Sequence, residues 1–432
     1  METHFTAEQL STPAVQIAND ILRKCVHCGF CTATCPTYVV LGDELDSPRG
    51  RIYLMRVMLE QDGGKKVRPD AKTVKHIDRC LSCLSCMSTC PSGVDYMHLV
   101  DRSRAHIDRH YVRPLPERLL RTVLAVVLPN PRLFRLSLIA AKLAQPLKHL
   151  MPGRLKDMLS LAPQQLRGPS AFDKPGVYMP QTAKVKRVAL LTGCAQPVLD
   201  PAINAATVRL LTRLGCEVVV ADGVGCCGAL VHHMGREDQA HDQARQNIAA
   251  WMTEVDGKGL GAIVINASGC GTTVKDYGHM LKDDVDWSVR ADTISNLAMD
   301  ISEVLMDLDV EGHVKDFAKP AVAYHSACSM QHGQGLKTQP VALLQRAGFQ
   351  VSEPKEAHLC CGSAGTYNIM QPGIAAQLGT RKAGNLQKAG GAVIATGNIG
   401  CMVQIGKYSE VPVVHTVELL DWATGGPKPE KL

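Results

Sequence analysis

Cys25-Val26-His27-Cys28-Gly29-Phe30-Cys31-Thr32-Ala33-Thr34-Cys35-Pro36 and Cys80-Leu81-Ser82-Cys83-Leu84-Ser85-Cys86-Met87-Ser88-Thr89-Cys90-Pro91 are two copies of one spacing, Cys-x2-Cys-x2-Cys-x3-Cys-Pro. Together they use eight of the chain's 17 cysteines. Three close-spaced thiolates can wrap one side of a cube of four irons and four sulfides, and the fourth ligand must arrive from elsewhere. The chemistry this predicts is one-electron transfer. Proline after each fourth cysteine removes a backbone donor and turns the chain away. A structural zinc site needs no such constraint and favours two Cys-x2-Cys pairs separated by a longer loop.

The spacing resembles that of bacterial two-cluster ferredoxins, in which the fourth cysteine of each motif serves the other motif's cluster. The resemblance implies Cys25, Cys28, Cys31 and Cys90 around one 4Fe-4S cluster, and Cys80, Cys83, Cys86 and Cys35 around a second. Gly29, beside Cys28, marks a place for close backbone approach to a cube. Met1-Glu2-Thr3-His4-Phe5 has neither a basic n-region nor an apolar h-region. The chain is therefore expected to stay in a reducing compartment, the cytoplasm, with its thiols free of disulfides.

A chain of 432 residues exceeds one comfortable core, so two or three domains are expected. The net charge of +6 is mild, and the few aromatics are not interleaved with Lys and Arg, which argues against nucleic acid as a partner. No run reaches the roughly 20 apolar residues that span a bilayer. Residues 1–110 read as a helical domain around the cysteine loops. Within it, Ser47-Pro48-Arg49-Gly50-Arg51 opens a helix with apolar residues at 54, 55, 58 and 59, and a second helix carries Val74 and Ile77 toward Cys80. Arg49 and Arg51 are placed beside a cluster, on a partner's acidic surface, or simply at a solvated helix start.

Residues 111–183 read as a basic linker of short helices. Nine Lys or Arg stand between Arg113 and Asp157 against two acids, Glu117 and Asp157, and prolines at 114, 116, 129, 131, 146 and 152 interrupt the segment. Its basic helices suit a membrane surface or an acidic partner, or are merely solvated.

The remainder is an internal duplication. Val188 to Cys194 matches Val322 to Cys328 at an offset of 134, and Cys226-Cys227-Gly228 matches Cys360-Cys361-Gly362 at the same offset. Leu210 to Val218 matches Leu343 to Val351 at 133, and Ala262 to Ile265 before Cys270 matches Val393 to Thr396 before Cys401 at 131. Each copy, 184–310 and 318–425, reads as strand, helix, strand, CCG turn, helix and buried strand, which predicts parallel α/β packing with cysteines converging at the strand ends. Cys194, Cys226, Cys227 and Cys270 have counterparts in Cys328, Cys360, Cys361 and Cys401. Cys216 aligns with Phe349 and reads as a buried hydrophobe.

These repeats resemble the CCG (cysteine-rich) domains found in pairs in heterodisulfide reductase and in iron-sulfur subunits of flavin-linked 2-hydroxyacid dehydrogenases. Some members close the set with Cys-x2-Cys, whereas here Cys270 precedes Gly271-Thr272-Thr273 and Cys401 precedes Met402-Val403-Gln404. That leaves a further cluster, a zinc or a metal-free redox thiol pair open for the eight CCG cysteines. His325 and His332 flank Cys328, where repeat one has Leu191 and Val198, so repeat two is the more specialised. Either histidine could join a metal set, move protons or be an ordinary core or solvated residue. His232 and His233, after the first CCG turn, invite the same readings more weakly.

The full layout resembles the iron-sulfur subunits of bacterial glycolate oxidase (glycolate dehydrogenase). That resemblance implies an α+β multidomain chain, a helical two-cluster domain followed by duplicated α/β CCG domains. It also implies electron transfer from FAD-bearing flavoprotein subunits, which oxidise glycolate to glyoxylate, toward a quinone or other membrane acceptor at the inner face of the cytoplasmic membrane. The subunits of anaerobic glycerol-3-phosphate and lactate dehydrogenases share the layout, and a heterodisulfide-reductase-like subunit would do chemistry at the CCG site itself. The glycines of Gly223-Val224-Gly225-Cys226-Cys227-Gly228 belong to the CCG turn, so no dinucleotide fingerprint is present and no substrate-oxidising site is expected in this chain.

Overall fold

A computed structural model describes residues 1–61, 68–151, 153–163 and 165–432. Pro152 of the basic segment lies outside them, as do the side chains of Arg154 and Asp157. The amino-terminal part is helical. Pro48 starts a helix over Pro48–Gln61, and the Gly50 amide donates to Ser47 Oγ at 2.9 Å, capping the first turn. Its buried face carries Ile52, Met55, Met58 and Leu59. Asp70 caps Ala71–Asp78, which buries Val74 and Ile77, and Asp95 caps the long helix Tyr96–His110. These helices share one core with Cys25, Cys80 and Cys86.

The duplicated part forms two sheets. β1 (Gly176–Tyr178), β2 (Lys186–Leu191), β3 (Cys216–Val220), β4 (Ala262–Ile265) and β5 (Ala298–Asp300) are ordered β1-β3-β2-β4-β5, with only β1 antiparallel to its neighbour. β6 (Val322–His325), β7 (Val351–Ser352), β8 (Val393–Thr396) and β9 (Val413–His415) form a parallel sheet ordered β7-β6-β8-β9. The middle strands are buried along almost their whole length and mostly apolar because helices cover both faces. A single core joins the two repeats and includes Cys216, which is fully buried. Asp421, on the helix Thr416–Ala423, closes that junction by pairing with Arg209 and Arg213 of the helix Ala202–Arg213 at 2.6 and 2.9 Å.

The structure adds details that the sequence pattern leaves open. β5 and β9 add a further parallel strand to each repeat, and Cys270 and Cys401 lie in the first turn of the helix after β4 and β8 rather than at the strand tip.

The basic segment is only partly solvated. Arg113 and Arg121 are buried and hold Asp78 at 2.6 and 3.0 Å, tying the segment to the amino-terminal helices. Arg118, Arg132 and Lys142 are exposed. So are Leu115, Leu119, Val123 and Val126 on the helix Leu115–Val127, and Leu136, Ile139 and Leu143 on Pro131–Ala144.

Candidate iron-sulfur and cysteine-rich sites

Each cysteine motif follows the same backbone path. His27 and Gly29 of the first have φ of 56° and 85°, and Ser82 and Leu84, at the matching places of the second, have 49° and 61°. Left-handed conformations at non-glycine residues cost of order 1–3 kcal/mol each and persist where the surroundings over-determine them. Alternating handedness turns successive amides toward one centre, a form suited to an anionic group. Sequence reasoning found only Gly29, because Ser82 and Leu84 carry no glycine signal. A Cβ at Gly29 would meet Arg49 Nη1 at 2.8 Å.

Short helices over Phe30–Thr34 and Ser85–Thr89 follow, ended by the prolines. A residue before proline is driven to the extended region, and Cys35 (φ −80°, ψ 116°) and Cys90 (φ −77°, ψ 115°) both adopt it. The two helices pack together, with Thr34 Oγ1 and Thr89 Oγ1 3.1 Å apart. As a result each fourth cysteine reaches the other loop. One cavity is lined by Cys25, Cys28, Cys31 and Cys90, with Arg49 also in its wall. A second is lined by Cys35, Cys80, Cys83 and Cys86, with Arg51 beside it. Pro48, Cys86 and Tyr96 border both, so the cavities share a wall.

The residues fit cubane clusters by donor chemistry and by surroundings. Burial pushes the Cys31 thiol up to about 11 and those of Cys83 and Cys86 well above their ordinary value. Such thiols ionise when a cationic centre replaces their protons. Positive charge is already at hand. Arg51, 1% exposed, places Nη1 3.8 Å from Cys35 Sγ, while its other nitrogens bond the His76 carbonyl at 2.7 Å and Thr37 Oγ1 at 3.0 Å. Asp46 balances that charge and is itself held by His76 at 2.9 Å and Arg79 at 2.8 Å. Tyr96 donates its hydroxyl to Cys80 Sγ at 3.6 Å.

In each repeat the four CCG cysteines come together. In the first, the Cys226 thiol interacts with Cys194 and Cys227, whose hydrogen bonds hold it well below its ordinary pKa, and Cys227 also reaches Cys270. In the second, Cys328 meets Cys360, Cys360 meets Cys361, and Cys361 meets Cys401. The CCG glycines explain the tight turn. Gly228 and Gly362 have φ of 90° and 89°, and a Cβ there would meet the carbonyls of Ala240 at 3.2 Å and Ala375 at 2.8 Å.

Both repeats grip the amino-terminal helices. Leu81 and Cys83 pack with Cys328, Cys360 and Tyr367, and the Tyr367 hydroxyl donates to the Arg79 carbonyl at 3.0 Å. His332 is not with the CCG cysteines; its Nδ1 lies 2.7 Å from Ser88 Oγ and its Nε2 3.1 Å from the His358 carbonyl, so it joins repeat two to the second loop. On repeat one, His98 Nε2 lies 3.0 Å from Asp276 Oδ1 while Nδ1 lies 2.5 Å from Asp95 Oδ2. Burial opposes the His98 imidazolium, but Asp276 and Asp95 more than offset it and raise the group to about 10. His233 is half-buried near Arg104 and is pushed down to about 3 by loss of water, so it belongs to this interface too. His232 lies 4.0 Å from Asp101 on the same interface.

Residues 21–94 match a 4Fe-4S dicluster domain, and residues 188–275 and 322–406 each match the Cysteine-rich domain, CCG. Two 4Fe-4S clusters are therefore the cofactors of this chain. The glycolate oxidase iron-sulfur subunit of Escherichia coli (strain K12) is 41% identical over 98% of this chain and 99% of its own length. The probable glycolate oxidase iron-sulfur subunit of Bacillus subtilis (strain 168) is 33% identical over 94% of each chain. Lactate utilization protein A of Oceanobacillus iheyensis is 28% identical, covering 54% of this chain and 96% of its own. With two cysteine cages, a duplicated CCG fold and similarity along its whole length, the chain belongs to the family of glycolate oxidase iron-sulfur subunits.

Proposed function

We propose that this chain is the electron-transfer subunit of a glycolate oxidase (glycolate dehydrogenase) complex. It accepts electrons from FAD-bearing flavoprotein subunits that oxidise glycolate to glyoxylate and delivers them toward a quinone or other membrane acceptor. Cys25, Cys28, Cys31 and Cys90 hold one cluster, and Cys80, Cys83, Cys86 and Cys35 the other. When bound, the clusters supply one-electron carriers whose potentials follow local charge, hydrogen bonds and burial. The chain's own part is to hold them rigidly apart by one shared wall and to set their electrostatics through Arg49 and Arg51. Oxidation of the substrate takes place in the partners.

The observation that carries this reading is the crossing of Cys35 and Cys90 between two cavities separated only by Pro48, Cys86 and Tyr96. Residues 1–110 form the cluster unit, 111–183 the linker, and 184–310 and 318–425 the two CCG units. Among the described residues no helix is long and apolar enough to cross a membrane. The exposed leucines and valines of Leu115–Val127 and Pro131–Ala144, set among Arg118, Arg132 and Lys142, suit attachment to the anionic cytoplasmic face of the membrane. Nucleic acid has no place in this scheme.

The test is co-purification of the tagged full chain from its native host. Recovery with flavoproteins and glycolate-dependent dye reduction supports the proposal. Reduction driven by lactate or glycerol 3-phosphate but not glycolate would replace it with the corresponding dehydrogenase.

A further inference from the structure

His325 ends β6 with 1% of its surface exposed, and neither ring nitrogen has a hydrogen-bond partner. No other side chain among the described residues buries two unpartnered polar atoms. Leaving a buried polar group unbonded costs about 1–3 kcal/mol. The imidazole is not isolated, however. A ring nitrogen of His325 and the sulfurs of Cys361 and Cys401 all lie within 4.8 Å of one another. Thr396, the register partner of His325 on β8, and Ser326 add two more buried hydroxyls without partners at the same strand ends.

The duplication provides an internal control. At the offset of 134 His325 corresponds to Leu191, and at the offset of 131 Thr396 corresponds to Ile265. Leu191 and Ile265 are buried in an ordinary apolar core. The fold therefore does not need polar groups at these places, and hydrocarbon fills them in repeat one. Repeat two carries an unbonded nitrogen donor instead, aimed at two thiols.

We infer that His325, Cys361 and Cys401 form a site for a single thiophilic divalent cation of the zinc class, distinct from both amino-terminal clusters. One nitrogen and two sulfurs are three corners of the tetrahedral N/S set such ions prefer. Cys360, whose thiol meets that of Cys361, is placed to supply the fourth. Lys382, buried with its ammonium on the carbonyls of Glu356 and Ala357, brings compensating positive charge to the surrounding sulfurs. The site does not depend on which hydroxyacid the partners oxidise.

The experiment is elemental analysis of the anaerobically purified full chain, with X-ray absorption at the zinc edge, on the wild type, His325→Leu and His325→Cys. Two cubes account for about eight irons per chain. Expected beyond them is about one zinc with mixed nitrogen and sulfur neighbours. His325→Leu, which copies repeat one, should lower zinc occupancy at least about tenfold at limiting metal while the paramagnetic resonance of the amino-terminal clusters is unchanged. His325→Cys should keep zinc in an all-sulfur shell, and it decides the matter if His325→Leu does not fold. Wild-type protein with no zinc, a rise to about twelve irons with matching sulfide, or zinc indifferent to both substitutions would each overturn the assignment.

Discussion

Arg51 Nη1 lies 3.8 Å from Cys35 Sγ, and both side chains are buried. A guanidinium at that position favours the added electron of a reduced cluster. At about 6 Å from the centre of charge and an effective dielectric near 20, it is worth about 3 kcal/mol, and 100 mV corresponds to about 2.3 kcal/mol per charge. Arg51→Gln should therefore lower the midpoint potential of one cluster by roughly 100 mV, with Arg51→Lys recovering most of it. Asp46 keeps Arg79 and His76 as partners, so the fold is expected to survive. A redox titration followed by electron paramagnetic resonance reads the shift, and equal midpoints in wild type and Arg51→Gln would show that Cys35 does not ligate a cluster.

Cys28 and Cys83 sit on different cavities. Cys28→Ser and Cys83→Ser should each remove a different resonance signal and stop electron flow, while glycolate affinity of the proposed flavoprotein partners stays unchanged. Loss of the same signal in both variants would contradict two separate cages.

His98 ties the cluster unit to repeat one through Asp276. Its folded value, raised to about 10 from 6.5, means that the contribution is complete below pH 6.5, fades as pH rises and is gone above about 10. His98→Asn should cost about 1–3 kcal/mol at pH 6 and close to nothing above pH 10. Urea unfolding across that range measures it, and a pH-independent difference would show that His98 acts by packing alone.

Leu119 and Leu136 are 67% and 61% exposed on consecutive helices. The pair Leu119→Glu and Leu136→Glu should leave stability within about 0.5 kcal/mol but lower partitioning onto vesicles containing anionic lipid at least about tenfold. Flotation of the full chain reads this directly. Equal flotation of wild type and variant would remove these helices from membrane attachment.

The parts of this molecule visible in its sequence are those that repeat. The cysteine spacings, the prolines behind Cys35 and Cys90 and the offset near 134 are local patterns, and they were enough for two cages, a helical unit and paired α/β repeats. The buried helix faces over Pro48–Gln61 and Ala71–Asp78 followed from period and capping. What stayed hidden depends on residues far apart in the chain. Arg49 and Arg51 had three readings until the packing put both beside the cysteine cavities. His332 stood near Cys328 in sequence but turns to Ser88, because the helical turn after Cys328 faces the second cysteine loop. The left-handed residues Ser82 and Leu84 gave no compositional hint, since the surroundings rather than glycine impose that conformation. β1 was equally silent, being three residues of the linker captured by the edge of a sheet.

The exchange of Cys35 and Cys90 between neighbouring loops carries a consequence for biogenesis. Neither loop can be completed while the other is still unfolded, because each waits for a residue that the other must present. On the proposed ligand set, both loops must therefore come together before either cluster can be held by four thiolates, so cluster insertion is expected to follow folding of the whole amino-terminal unit rather than of one loop.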